Sequence, residues 1–145
     1  MRLQAGFTLI EMMLSLAVIV VITIISMPLY RSFLARNDLG LTSQRIAETL
    51  RRAQVYARGM KSDSAWSVEV QSATVTLFKG TSFAGRDTNY DETISLPSTL
   101  SASGLAEVQF TKLTGLPNTT GTVTLTTTAS ETTTVTVNAE GMVNY

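Results

Sequence analysis

Glu11 is the only charged side chain among the 23 residues from Phe7 to Leu29. An ionised group at bilayer depth costs about 2.5–3.5 kcal/mol on insertion scales. No Lys, Arg or His lies in that stretch to pair with it, so its partner must come from elsewhere. A second constellation, Asp87, Asn89 and Asp91, alternates like the opening of a calcium loop. The match then fails, because Glu92 stands at the sharp-turn glycine position and Ser98 replaces the closing bidentate glutamate. A solvated surface loop is expected there, with no metal. A basic group, Arg45, Arg51, Arg52 and Arg58, has seven-residue spacings that put Arg45 with Arg52, and Arg51 with Arg58, on related helical faces. That is an anion or nucleic-acid surface in principle.

Two absences narrow the chemistry. The chain has no cysteine, so no disulfide forms and redox chemistry says nothing about compartment. It has no histidine, which removes the commonest general base and the commonest transition-metal ligand. The many hydroxyls lack a base to activate them. An enzyme is not expected, and no cofactor is implied. Charge is balanced at eleven basic and eleven acidic residues, but it is segregated. Residues 29–61 carry seven Lys/Arg against two acids, and residues 62–145 carry three against eight. A basic stem and an acidic head suggest contacts between charged protein surfaces. Phosphate attraction to the head should be poor, so nucleic acid is not expected as a partner.

These groups need elements to hold them. The stretch 7–29 is long enough to span a bilayer, which takes roughly 20 apolar residues. It is too long for a secretory signal core, and "SMPLYRS" is a poor cleavage site. Helical character continues to about Arg58, where Gly59 offers a stop. A kink or local melting is expected at Pro28, and Gly40 is a second weak point. Ile46, Leu50, Ala53 and Ala57 form one apolar stripe. Alternation then takes over in "WSVEV" and "TVTLF", spaced as a β-hairpin, and in "TISL", "EVQF", "TVTLTT" and "TTVTV". Ser and Thr supply 29 of the 84 residues from Ser62 onward, which suits the wet face of a sheet. A disordered, glycosylated tail is the competing explanation.

"GFTLIEMMLSLAVIVVI", Gly6–Ile22, resembles the cleavage and methylation segment of type IV pilin-like proteins: a short charged leader ending in Gly6, then Phe7, Thr8, Leu9 and Glu11, then an apolar helix. Pro28 also lies where many members carry a helix-breaking proline. The resemblance implies that a prepilin peptidase cuts between Gly6 and Phe7 and methylates the new Phe7 amine. It implies that Glu11 pairs with the N-terminal amine of a neighbouring subunit during assembly. "FTKLTGLPNTTGTVTLTTTASETTTVTVNAEGMVNY" is similar to the final region of the GspH/FimT group of minor pseudopilins and minor pilins.

The expected fold is α+β, with a long N-terminal helix packed on an antiparallel β-sheet head. The expected organisation is a cleaved leader over 1–6, a transmembrane and assembly helix over 7–29, its second half over 30–60, and a globular head over 61–145. The resemblance implies a non-enzymatic subunit of a type II secretion pseudopilus or type IV pilus. Its implied partners are the prepilin peptidase, other pilins or pseudopilins, an inner-membrane assembly platform, and lipid along 7–29. It implies a single-pass protein of the bacterial inner membrane whose head lies in the periplasm or outside the cell. The alternatives are a pilus subunit for adhesion or DNA uptake, and a membrane-anchored ligand-binding β domain.

Overall fold

The computed structural model describes residues 6–145, and of residues 25–29 the backbone alone. The leader residues 1–5 and the Pro28 side chain therefore lie outside the described residues. Helix α1 runs Leu9–Arg58, and its assignment passes through position 28, against the local melting expected there. The chain divides into two compact units, Met1–Leu34 and Ala35–Tyr145.

In the first unit the described large apolar residues from Phe7 to Ile24 are all exposed. Among the described residues no helix is long and apolar enough to cross a membrane. The stretch 7–29 expected to do so includes the five residues whose side chains fall outside that description.

The second unit has its own core. Eight strands follow the helix: β1 (Trp66–Val70), β2 (Thr74–Lys79), β3 (Asp87–Ser95), β4 (Leu100–Gly104), β5 (Glu107–Phe110), β6 (Gly121–Thr127), β7 (Thr132–Val137) and β8 (Val143–Asn144). They form two four-stranded antiparallel sheets, ordered β3-β2-β1-β5 and β4-β6-β7-β8. Alternation explains most of the registers. Val68 faces Leu77 and Val108 across β1, while Val123 faces Val135 between β6 and β7. These inward residues and the stripe Ile46, Leu50, Ala53 and Ala57 join one core, with the stripe fully buried. Small residues on the stripe let the strands approach the helix closely. Outward threonines bridge strands, as Thr122 Oγ1 and Thr136 Oγ1 do at 3.3 Å.

The head thus holds two sheets where one was expected. The Thr-rich tail is paired strand, and β4 and β8 went unpredicted because "LSASG" alternates only in small residues of low strand preference beyond Leu100, and "VN" is too short to show a period. Residues 87–92 belong to β3, correcting the expected loop. The helix does end at Arg58, but the left-handed residue that turns the chain away is Met60, at φ 49°.

Candidate functional site

The N-terminal segment is built around Thr8. Gly6, Phe7 and Thr8 are non-helical and exposed. The Met12 N–H donates to the Thr8 carbonyl at 3.2 Å, the first helical bond of α1. The Glu11 N–H donates to Thr8 Oγ1 at 3.3 Å. Ser15 and Thr23 hydroxyls donate to the carbonyls of Glu11 and Ile19, each at 2.8 Å, and so satisfy themselves on their own helix. Glu11 is exposed, surrounded along the chain by exposed Leu, Ile and Met side chains. Gly6, Phe7 and Glu11 therefore share one short, accessible stretch. Pro28 is seventeen positions beyond Glu11 and forms no part of it.

The arginines take separate roles in the second unit. Arg52 pairs with Glu92 on β3. Arg51 Nη2 donates to the Val143 carbonyl at 2.7 Å, and Arg58 Nε to the Thr114 carbonyl at 3.0 Å. Gln54, between them, donates to the Gly115 carbonyl at 3.1 Å. One row of helix donors therefore ties down the C-terminal strand and the loop after β5. Gly115 is required there, because it sits at φ +64° and a Cβ would lie 2.3 Å from Arg58 Cγ. Arg51, Gln54, Arg58 and residues 140–144 line an open recess of about 340 Å³. Sequence reasoning did not see these carbonyl contacts, since an arginine in a helix carries no signal of a backbone partner.

The 87–92 carboxylates are bound by cations of the same chain. Asp91 meets Arg86 Nε at 2.8 Å, Asp87 lies 3.8 Å from Lys79, and Glu92 holds Arg52. Among the described residues no group of three or more acids is placed to hold a metal ion. Lys112 pairs with Asp63 at 2.5 Å, which lowers the Asp63 carboxyl below its usual range.

The outer face of the first sheet is covered by the β2–β3 connection. Ser67 donates to the Gly80 carbonyl at 2.7 Å, and Phe83 packs edge-on to fully buried Phe78 at 5.6 Å. The Arg86 guanidinium lies 3.7 Å from the Phe83 ring centroid. On the same face Glu69 stands directly opposite Glu107. Burial, then the Glu107 charge, raise the Glu69 carboxyl above its ordinary 4.5, while Arg86 works the other way.

Two comparisons bear on this arrangement. Residues 1–27 match the prokaryotic N-terminal methylation motif. The solved minor pseudopilin EpsH from the Type 2 Secretion System of Vibrio cholerae superimposes with a TM-score of 0.58 at 16% identity, covering 74% of this chain and 94% of that one. The fold is pilin-like, and its N-terminus carries the methylation motif. At that identity the likeness concerns the fold alone. No curated protein matches the chain significantly. The motif spans Gly6, Phe7, Thr8 and Glu11, the stretch that the structure leaves accessible.

Proposed function

We propose that this protein is a non-enzymatic minor pilin or pseudopilin. In this reading a prepilin peptidase cuts between Gly6 and Phe7 and methylates the Phe7 amine, after which the subunit enters a thin filament through its N-terminal helix. Until then the segment 7–29 resides in the bacterial inner membrane, with the head on the far side. The observation that carries the reading is the methylation motif placed on an apolar helix whose described large side chains are exposed. Bilayer storage followed by helix-bundle assembly would remove that surface from water at both stages. Glu11 supplies the register, because a carboxylate in hydrocarbon favours the stagger that brings a neighbour's Phe7 amine close.

The likeness to a type 2 secretion pseudopilin favours a secretion pseudopilus over an adhesion or uptake pilus. Intact-mass analysis of the protein from cells that contain the peptidase tests the reading. A chain beginning at methylated Phe7 is expected, and a persistent Met1 terminus would overturn it.

A further inference from the structure

Thr8 performs both tasks of a helix N-cap. Its carbonyl accepts the first helical hydrogen bond, from Met12, and its hydroxyl accepts the N–H of Glu11. Phe7 and Met12 occupy the two flanking positions where apolar side chains fix the entry of the chain into a helix. Upstream, residues 1–7 contain no Ser, Thr, Asp or Asn, so the next best cap is Gly6. A helix capped by Gly6 would make Phe7 its first helical residue. The Gly6 carbonyl would then accept from the N–H four residues on.

We propose that Thr8 is a positioning residue for leader removal: its cap starts the helix beyond the Gly6–Phe7 peptide and leaves the Gly6 carbonyl free for attack. The inference rests on the cleavage reading above. In that step water adds to the Gly6 carbonyl carbon and the bond to the Phe7 nitrogen breaks. Gly6 leaves as a carboxylate, and Phe7 keeps an amine that takes up the proton. A carbonyl held in a helical hydrogen bond is turned into the first turn and crowded by it. One set two residues ahead of the cap lies outside the helix and exposed, as Gly6 does. The Glu11 part of the cap is its backbone N–H, which any non-proline residue supplies.

The full-length chain in detergent, incubated with a prepilin peptidase, provides the test, read as the initial rate of leader loss. Thr8→Val keeps the side-chain shape and removes the acceptor. It should be cut more slowly, by up to about fivefold, the limit set by a cap of about 1 kcal/mol. Thr8→Ser and Thr8→Asn, which cap well, should be cut at the wild-type rate. The Gly6 carbonyl carbon shift should move toward helical values in Thr8→Val alone. Cleavage of Thr8→Val at the wild-type rate would overturn the proposal. So would a Thr8→Asn variant as slow as Thr8→Val, since the peptidase would then be reading side-chain shape. Failure of the wild-type chain to be cut at all would instead remove the cleavage reading, and this proposal with it.

Discussion

Residues 9–24 and residues 39–57 lie on the same helix, yet the environments of their apolar side chains are opposite. In the first stretch exposure of the large apolar residues runs from 47% at Val20 to 78% at Leu9. In the second, Ile46 and Leu50 are fully buried against two sheets. The stripe from Ile46 to Ala57 is narrow and backed by polar residues, as a helix with one partner surface needs. Residues 9–24 are apolar all round, which suits a helix surrounded on every side. The chain itself supplies the surroundings for the second stretch. For the first, the function proposed above assigns that part to the bilayer and to other subunits. Stability and assembly should therefore respond to different substitutions.

Stability offers the largest test. Leu50→Ala should lose about 2–5 kcal/mol, because it opens a cavity in a closed core. Leu14→Ala should change unfolding by less than about 0.5 kcal/mol. Denaturant melts of both variants in detergent check this, and equal losses would dissolve the distinction. Residues 35–145 alone should also unfold in one cooperative transition, and a gradual loss of signal would count against an independent head.

Assembly should show the reverse pattern. Glu11→Ala should leave insertion, cleavage and head stability unchanged but reduce incorporation on the order of tenfold, since it leaves a neighbour's amine unpaired in an apolar setting. Glu11→Lys should be worse, replacing attraction with repulsion. Crosslinking to filament partners, measured alongside cleavage, separates the steps. Normal incorporation of both variants would assign the glutamate another purpose.

A smaller effect sharpens the picture within the head. Glu69 has a raised folded value, so its protonated form favours folding. That contribution is complete below the ordinary 4.5 and is lost as pH rises through the raised value. Glu69→Gln mimics the protonated form. It should raise the melting temperature slightly at pH 7 and leave it unchanged near pH 4. A gain of equal size at both pH values would refute this account. The smallest expected signal concerns nucleic acid. Lys79, Arg86 and Lys112 are the only cations of residues 62–145, and each already pairs with an aspartate. Duplex DNA should bind no more tightly than about 10⁻⁴–10⁻⁶ M at physiological salt, the range of non-specific contact. Tight, salt-sensitive binding lost on neutralising those three residues would reverse that expectation.

The legible parts of the molecule were those governed by period. The Ile46–Ala57 stripe, the β1–β2 hairpin and strands β5, β6 and β7 follow from spacing alone, because burial on one face leaves its mark every second or every fourth residue. What escaped depends on partners distant in sequence. Phe78 looks misplaced on the wet side of β2 until Phe83 and Arg86 fold over it. Strand β8 exists because Thr136 and Val137 pair with it, not because "VN" prefers to be extended. At the N-terminus the motif residues could be named from the sequence, and Glu11 read as a lone charge. That Thr8 marks where the helix begins needed the two hydrogen bonds it accepts.

The hydroxyls of Ser15 and Thr23, folded back onto their own helix, have a mechanical consequence. They leave Glu11 as the single charged tooth on the described surface of residues 9–24, among exposed apolar side chains. Apolar ridges and grooves repeat along such a helix, so several offsets between neighbours pack about equally well. One tooth gives the stack a detent: most displacements are cheap, and a single offset per subunit holds. A fibre built that way could be advanced one notch at a time without unzipping a ladder of polar contacts at every step.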